Sequence, residues 1–326
     1  MTRATAFWVD APGAGSLRAE ELRDPRPGEV LVRTLHTGIS RGTESLVFRG
    51  QVPASERDRM RAPFQEGDFP GPVKYGYLNV GVVERGPRDL VGRTVFTLFP
   101  HQSAFVVPES AVAIVPDGIP ARRAVLAGAV ETAVNILWDA APALGDRISV
   151  VGAGMIGCSV ALVARGIPGV DVTLVDVDRT KAEVCGRLGV AYAHPDDAPR
   201  DRDLVVHTSG AGEGLQLAME CVATEGEIIE ASWYGDRPVT VRLGGDFHSR
   251  RLTIRSSQVG MVAPRRRAGR TTADRLALAL RLLQDPAFDE LLTGSSPWRD
   301  LPAVMGEIAE GAAPGLCHTI DWKDAG

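Results

Sequence analysis

The sequence is poor in cysteine. Only four of its 326 residues are cysteines, and no two form a Cys-x-x-Cys pair. A structural zinc lobe needs cysteine ligands in close pairs, so it is excluded. A disulfide scaffold is not expected in a chain of this length, and the thiols favour a reducing cytosol. The cysteines are Cys158, Cys185, Cys221 and Cys317.

The sequence also lacks an excess of positive charge, a targeting segment and a membrane span. Lys and Arg total 36 against 41 Asp and Glu, a net charge of −5. This balance argues against nucleic acid as the main partner but does not exclude a small anionic ligand. The N-terminus has no apolar signal core, and the longest apolar stretch, residues 149–164, is too short and too rich in glycine to span a bilayer. We expect a cytoplasmic protein that binds neither nucleic acid nor membrane.

The composition is that of a globular protein, and the pattern of predicted secondary structure changes along the chain. Hydrophobic residues make up 44% and charged residues 24%, which excludes wholesale disorder. Short β-like runs separated by Gly and Pro occupy the first part, whereas apolar strands alternate with helical stretches from about residue 124 to 260. We predict a β-rich substrate domain formed by residues 1–123 and 261–326, and a second domain formed by residues 124–260.

The alternating segment predicts an α/β fold, a doubly wound parallel sheet covered by helices on both faces. The expected strands are 147–151, 171–176, 204–208, 227–230 and 252–256. Helices are expected up to about residues 165, 188 and 223, and an amphipathic helix over 272–284. Together these elements describe a Rossmann domain.

A dinucleotide fingerprint follows the first of these strands. Gly152, Gly154 and Gly157 form a GxGxxG motif between a strand and a helix. Such glycines permit a tight turn, close approach of the backbone to a pyrophosphate, and close packing of the helix on the strand. The helix N-terminus then offers N–H groups to the phosphates. Met155 and Ile156 lie within the motif, and we count them with its glycines as cofactor-binding.

An acidic residue follows at the spacing that the motif requires. Asp176 ends the second strand, about 20 residues after the motif. Its carboxylate favours the ribose diol of NAD and would repel the 2′-phosphate of NADP. Arg179 and Lys181 lie close by and could meet that phosphate, so NADP remains the alternative.

The order of the domains, with the nucleotide fold after a β domain, resembles the medium-chain dehydrogenase/reductase superfamily of alcohol dehydrogenase-like proteins. The resemblance covers nearly the whole chain and implies a GroES-like fold for the substrate domain. Residues 38–44, GISRGTE, resemble the family loop G-I-C-x-T-D, and residues 76–83, GYLNVGVV, resemble G-H-E-x-x-G-x-V. The residues of both motifs are most similar to those of the subgroup that contains bacteriochlorophyllide a dehydrogenase.

The chain departs from the family pattern at the zinc ligands. Ser40 replaces the first ligand and Tyr77 the second, and the third should fall near residues 127–129, which read Ala-Gly-Ala. A hydroxyl, a phenol and no side chain make a poor zinc site. We therefore predict that zinc is absent. If unrelated residues held a metal, His101 and Glu131 would be the first candidates.

The resemblance also implies site residues. Tyr77, Thr43 and Ser40 are the candidates for catalysis, as hydrogen-bond donors or proton relays that replace the metal. Arg41 is expected to reach the cofactor pyrophosphate. Glu131 is interpreted as a structural carboxylate rather than a relay. Further residues expected to bind the cofactor are Thr132, Val177 and Ser209, and His207 would lie near it.

These features predict an NAD-dependent, metal-free enzyme that interconverts a secondary alcohol and a ketone, with a bulky cyclic substrate implied by the subgroup. One alternative is an NADPH-dependent quinone or enoyl reductase. Another is a nucleotide-binding protein without catalysis. By resemblance, we expect a homodimer that pairs through the edge strand at residues 252–260.

Overall fold

The computed structural model describes residues 2–325. It divides into two compact units. One unit comprises the residues up to Gly128 and those from Leu292 onward, and the other comprises Ala129–Leu291. Among the described residues, none of the helices combines the length and the apolar character needed to cross a membrane.

The strands and helices are numbered in chain order. The strands are β1 Thr2–Ala11, β2 Ala14–Leu22, β3 Glu29–Ile39, β4 Glu66–Gly67, β5 Val73–Lys74, β6 Asn79–Arg85, β7 Thr94–Thr97, β8 Ala104–Pro108, β9 Val112–Ile114, β10 Arg147–Val151, β11 Asp171–Val175, β12 Ala191–Ala193, β13 Arg202–His207, β14 Val222–Glu230, β15 Thr253–Ser256, β16 Leu292–Pro297 and β17 Cys317–Asp321. The helices are α1 Arg41–Phe48, α2 Ala121–Ala124, α3 Ala127–Ala140, α4 Met155–Ala164, α5 Lys181–Arg187, α6 Gly212–Cys221, α7 Thr272–Leu282 and α8 Leu301–Glu310.

The first unit is built on two sheets. One has the order β2-β1-β5-β4, and the other has the order β16-β17-β3-β6-β7-β9 with β8 beside β3. All pairs in these sheets are antiparallel except β16 and β17. A core of valines and phenylalanines, including Val30, Val32, Phe99 and Phe105, fills this β-rich unit. The apolar-polar alternation of the strands explains it, since one face of an antiparallel sheet packs on the core.

The second unit contains a parallel sheet with the order β12-β11-β10-β13-β14-β15. Its central strands are buried almost throughout, as expected for a parallel sheet with both faces covered. The chain order runs outward from β10 in both directions, to β11 and β12 on one side and to β13, β14 and β15 on the other. The carboxyl ends of the strands at this switch point form the usual ligand site of such sheets. The fold is the predicted Rossmann sheet with a β-rich unit.

The boundaries of the units differ from the predicted domain limits of 123/124 and 260/261. The structure places residues 261–291, including α7, in the unit with the Rossmann sheet. A buried contact that the sequence did not reveal joins α7 to α3. Arg275 of α7 is only 2% exposed, and its guanidinium donates to Glu131 and Asn135 of α3.

Candidate active site

The glycine-rich turn joins β10 to α4, as the fingerprint predicts. Gly152 has a φ of +108°, a conformation that favours glycine. A Cβ at Gly157 would lie 1.8 Å from the carbonyl oxygen of Gly152, so this glycine lets the helix pack on the turn. A Cβ at Gly154 would meet nothing within 4 Å and would occupy open space. The turn therefore leaves room for a ligand at Gly154.

A cavity of about 1120 Å³ opens beside this turn. Typical small-molecule sites measure about 300–1,000 Å³, so it can accept a ligand as large as a dinucleotide. Four glycines of the second unit line it, together with the last residues of β10 and β11 and the residues that follow β10, β11 and β13. The lining includes Gly152, Gly154, Asp176, Val177, Thr208, Ser209 and Gly212.

Asp176 lies where a ribose-binding carboxylate is expected, and the protein holds it in place. Its Oδ2 accepts the N–H of Ala153, at 2.7 Å, and its Oδ1 accepts the N–H of Asp178, at 2.9 Å. A carboxylate oxygen can accept more than one hydrogen bond, so both oxygens keep capacity for ribose hydroxyls. Lys181 lines the same cavity, whereas Arg179 is not among the lining residues. The residues present fit a nicotinamide dinucleotide.

The remaining residues predicted to bind cofactor are placed differently. Met155, Ile156 and Gly157 belong to the turn and α4 but do not line the cavity. Thr132 lies on α3 of the second unit, also outside the cavity lining. Arg41 belongs to the first unit, where its guanidinium donates to the carbonyl oxygen of Ala313. Binding of a pyrophosphate by Arg41 remains a prediction.

The three predicted catalytic residues lie together in the first unit. The phenol of Tyr77 lies near the hydroxyls of Ser40 and Thr43, both of which favour its ionised form. Removal from water, and to a smaller degree the negative charge of Glu44, raises the pKa of Tyr77 to about 12, against the opposing effect of the two hydroxyls. The phenol therefore keeps its proton at neutral pH and acts as a hydrogen-bond donor.

These residues do not fit a zinc ion. Ser40 offers only a hydroxyl, and the phenol of Tyr77, with its pKa raised to about 12, is far from forming the phenolate that would coordinate a metal. At the third position, a Cβ on Gly128 would lie 2.5 Å from a methyl group of Leu78, so the space beside it is filled by an apolar side chain. Among residues 2–325, no group of three or more His, Cys, Asp or Glu side chains could hold a metal. A metal-free mechanism stays a prediction, and no step below uses a metal.

The two alternative metal candidates have other partners. His101 contacts Glu44, with 2.7 Å between Nε2 and Oε2. Glu131 accepts from Arg275 at 3.0 Å. Burial raises the pKa of Glu131, and the guanidinium opposes that effect. The ion pair agrees with the structural interpretation of Glu131.

A second polar cluster lies at the carboxyl ends of β13 and β14, beside the cavity. His207 contacts Ser209 through Nε2 and Glu230 through Nδ1. The sequence placed His207 and Ser209 near the cofactor but did not single out Glu230 or Glu44. Glu230 was detectable in principle, since it ends the strand that follows His207 along the chain and parallel neighbours end at one edge.

Comparison with known proteins found two dehydrogenases similar in sequence, although no protein-family model matches the chain. L-threonine 3-dehydrogenase of Saccharopolyspora erythraea is 29% identical over 251 residues, which cover 67% of this chain and 69% of the relative. 2-Desacetyl-2-hydroxyethyl bacteriochlorophyllide A dehydrogenase of Cereibacter sphaeroides is 36% identical over 89 residues. This second match spans 26% of the chain and only about a quarter (24%) of the relative's length.

Solved structures share the fold over nearly the whole chain. L-idonate 5-dehydrogenase from Escherichia coli superposes with a TM-score of 0.80 at 14% identity, covering 98% of both chains. Acetophenone reductase from Geotrichum candidum, solved in complex with NAD, gives a TM-score of 0.77 at 17% identity, covering 99% of this chain and 98% of its own. The shared fold, the sequence similarity to two dehydrogenases and the motifs around Ser40, Tyr77 and Gly152 together support the resemblance of the chain to the medium-chain dehydrogenase/reductase superfamily.

Proposed function

We propose that the protein is a nicotinamide-dependent oxidoreductase that interconverts a secondary alcohol and a ketone. The observation that carries the proposal is the cavity at the switch point of the Rossmann sheet, with the open glycine turn at Gly154 and the fixed carboxylate of Asp176. When bound, the nicotinamide nucleotide accepts or supplies the hydride. The relatives named above support this class of reaction.

NAD is the cofactor that the cavity favours. Asp176 presents a negative charge where the adenosine ribose of a dinucleotide binds in this fold, and a 2′-phosphate would be repelled there. A ribose diol instead donates hydrogen bonds to the carboxylate.

The first unit supplies hydrogen-bond donors for the oxygen that changes charge. A ketone oxygen gains negative charge as hydride arrives, and a donor that is already oriented stabilises that charge. The pKa of Tyr77 is raised to about 12, so the phenol keeps its proton at neutral pH and serves as a donor, with the hydroxyls of Ser40 and Thr43 close by. The side chains thereby take the role that zinc has in zinc-dependent members of the superfamily.

The substrate we propose is a secondary alcohol or ketone on a bulky cyclic molecule. Support comes from the similarity to the bacteriochlorophyllide dehydrogenase, which covers about a quarter of that protein. In the test below, turnover of small secondary alcohols is compared with turnover of cyclic ones.

A second candidate function is an NADPH-dependent quinone or enoyl reductase. The observation that favours it is the presence of three cations along the same cavity, Lys181, Arg200 and Arg242. Two of them already face a carboxylate, because Arg200 and Arg242 lie 3.1 Å and 4.0 Å from Glu220. Lys181 is therefore the cation that argues most directly for a phosphate.

The test begins with fluorescence titration of the purified protein with NADH and with NADPH. Turnover is then measured on a panel of cyclic and small secondary alcohols, ketones, quinones and enones. Tight NADH binding with alcohol or ketone turnover is the expected result. Tight NADPH binding without NADH binding favours the reductase, and nucleotide binding without any turnover favours a non-catalytic binding protein. An Asp176→Ser variant should weaken NADH binding and narrow the preference over NADPH.

The assembly and location of the protein are also proposals. β15 is an edge strand of the Rossmann sheet, which supports pairing of two copies through the edge at residues 252–260. Light scattering that shows a monomer at working concentration would refute the dimer. The composition supports a cytoplasmic enzyme, which cell fractionation can check.

A further inference from the structure

A loop rich in arginine connects β15 to α7. Residues 264–270, which we call the arginine loop, are all exposed and include Arg265, Arg266, Arg267 and Arg270. No Asp or Glu occurs anywhere in residues 257–273. The whole chain has a net charge of −5, so the loop is a local concentration of positive charge on an acidic protein.

The four guanidinium groups have no carboxylate partner in the part of the chain that the structure describes. Other arginines of the same unit do have one, since Arg147, Arg165 and Arg255 each lie 3.0 Å or less from a carboxylate oxygen. Within the loop, Nε of Arg267 donates to the carbonyl oxygen of Val262 at 3.1 Å. The charge of the loop is therefore available to an anion from outside the chain.

The nearest acidic residue along the chain, Asp274, is occupied at the start of α7. Its carboxylate accepts the N–H of Thr271 at 2.8 Å and the hydroxyl of Thr271 at 2.9 Å. These two hydrogen bonds lower the pKa of Asp274, and the positive charge of Arg270 adds a smaller effect. Asp274 thus caps the helix and is not the counter-ion of the loop.

The base of the arginine loop is fixed by buried side chains. Arg275 of α7 donates to the carbonyl oxygen of Val259 at 2.5 Å, and Asn135 of α3 accepts the N–H of Ala263 at 3.1 Å. The loop then begins with a turn in which the N–H of Arg266 donates to the carbonyl oxygen of Ala263 at 2.8 Å. Arginines on a backbone held in this way lose less freedom on binding a ligand than arginines on a free segment.

The arginine loop leaves the same edge of the sheet at which the nucleotide cavity opens. Ser256, the last residue of β15, is in register with Glu230, Glu230 with His207, and His207 with Val151 of β10. Val151 directly precedes the glycine turn. Neighbouring strands lie about 4.8 Å apart, so β15 ends about 14 Å from that turn along the edge.

The direction in which the nucleotide crosses the sheet brings its reacting end toward this loop. Asp176, proposed above to bind the adenosine ribose, follows β11 on one side of β10, whereas β13, β14 and β15 lie on the other side. In this fold a dinucleotide lies across the switch point, with one nucleotide over each half of the sheet. The nicotinamide therefore lies over the half that ends in the arginine loop, and so does the substrate that exchanges hydride with it.

We propose that the substrate is an anion and that the arginine loop binds its carboxylate groups. A guanidinium group stays charged at physiological pH and binds a carboxylate through two parallel hydrogen bonds. A protein partner would need about 20–30 residues on each side, far more than the seven of this loop, so a small ligand fits it better. The inference rests on the proposed function and adds to it the charge of the substrate.

The test measures reduction of cyclic ketones supplied in pairs, each carboxylate with its methyl ester: 3-acetylbenzoate, 4-acetylbenzoate and 4-acetylphenylacetate. The triple variant Arg265→Gln/Arg266→Gln/Arg270→Gln removes the charge and leaves Arg267, which is bonded to the backbone. The control Arg281→Gln removes an exposed arginine of α7. The KM of the wild type should be about tenfold lower for a carboxylate than for its ester. The triple variant should lose this preference with kcat unchanged, and the control should keep it.

Two further results separate binding of the substrate from other roles of the loop. Replacing the same three arginines by lysine should keep part of the preference, because lysine retains the charge but not the paired donors. NADH affinity should be unchanged in the triple variant, and its loss would assign the arginines to the phosphates of the nucleotide and overturn the inference. Equal KM values for carboxylates and esters in the wild type, or a preference that survives in the triple variant, overturn it while the proposed function stands.

A measurement without turnover keeps the inference testable if the proposed function fails. Isothermal titration calorimetry compares binding of the same carboxylates and esters to the protein in the presence of NADH. We expect the carboxylates to bind more tightly to the wild type and to Arg281→Gln but not to the triple variant, and their affinity to fall as NaCl is added. Carboxylate affinity that is the same in the wild type and the triple variant contradicts the role of the loop, whatever reaction the protein catalyses.

Discussion

Glu44 and His101 form a buried pair, with 2.7 Å between Oε2 of Glu44 and Nε2 of His101. The two side chains are 3% and 1% exposed. The other carboxylate oxygen accepts the backbone N–H of Ser40 at 2.8 Å, and Nδ1 of His101 lies 2.7 Å from the hydroxyl oxygen of Thr37. The pair therefore anchors the loop that presents Ser40 to Tyr77.

We expect His101→Leu to destabilise the protein by about 3–5 kcal/mol, because it leaves the carboxylate of Glu44 buried with one backbone partner. Urea denaturation measures the change in the free energy of unfolding. The control His248→Leu, at an exposed site, should change it by less than about 0.5 kcal/mol. The double variant Glu44→Leu/His101→Leu should be more stable than His101→Leu alone. A double variant that is less stable would show that the carboxylate is not the source of the cost.

Tyr77→Phe should lower the rate of ketone reduction by about 100- to 1,000-fold, since it removes a donor to the developing oxyanion. Thr43→Val, which removes one of the hydroxyls near the phenol, should have a smaller effect. Steady-state kinetics on a substrate found in the panel measure both. Tyr75→Phe is the matched control, a neighbouring buried phenol whose ring centre lies 6.0 Å from that of Tyr77. Full activity in both test variants would remove these residues from the mechanism.

The phenols should resist ionisation while the protein is folded. Burial is the first cause of a raised pKa at all four tyrosines, namely Tyr75, Tyr77, Tyr192 and Tyr234. A folded pKa above the unfolded value of about 10 means that the stabilisation is complete below pH 10 and is lost as pH rises toward 12 and beyond. Absorbance near 295 nm should show little phenolate at pH 10.5 in the native protein and a normal titration in urea. A native titration centred at pH 10 would contradict this.

Gly154→Ala should leave the fold intact and weaken NADH binding about tenfold or more, equivalent to about 1.4 kcal/mol. Its Cβ enters open space at the turn, where a pyrophosphate would approach. Gly186→Ala, in α5 with nothing within 4 Å of the new Cβ, is the control that should bind NADH normally. Gly157→Ala should unfold more easily, because its Cβ meets the Gly152 carbonyl at 1.8 Å. Unchanged NADH binding in Gly154→Ala would place the ligand elsewhere.

Arg275→Met should destabilise the protein by about 3–5 kcal/mol, because Glu131 is 4% exposed and would lose its buried counter-charge. The guanidinium also donates to Asn135 and to the carbonyl oxygen of Val259, so α3 and the loop after β15 lose a common partner. Thermal unfolding measures the loss. Glu131→Met/Arg275→Met should recover part of it, and this double variant should retain NADH binding if Glu131 is structural. A stable double variant that no longer turns over substrate would reassign Glu131 to the reaction.

The elements that local sequence patterns specify were predicted well. The parallel strands were within about two residues at most ends, because buried parallel strands read as apolar runs that end in turn signals. There were two exceptions: β14 begins at Val222, five residues before the predicted start, and the short edge strand β12 was not predicted. The grouping of Ser40, Thr43 and Tyr77, by contrast, came from resemblance to a family. The structure brings the phenol of Tyr77 near both hydroxyls, and the catalytic role of the three residues stays a prediction.

Long-range partners were not predictable. Glu44 and His101 are 57 positions apart, and Glu131 and Arg275 are 144 apart. A single sequence carries no signal for such pairs, since an acidic or basic residue is written the same way whether it is buried in a pair or exposed to solvent. The structure groups residues 261–291 with the Rossmann unit, and the contact of Arg275 of α7 with Glu131 of α3 is a long-range pair of this kind.

The sequence by itself determined the two-part architecture and the glycine turn, because hydrophobic periodicity and the conformational freedom of glycine are local properties of the chain. Only the tertiary structure decided which polar groups are buried together. Folding removes water from Glu44, Glu131, His207 and Glu230, and each then needs a partner that the sheet edges and helix faces bring to it. Those partners, and not the residue types alone, set which side chains hold a proton.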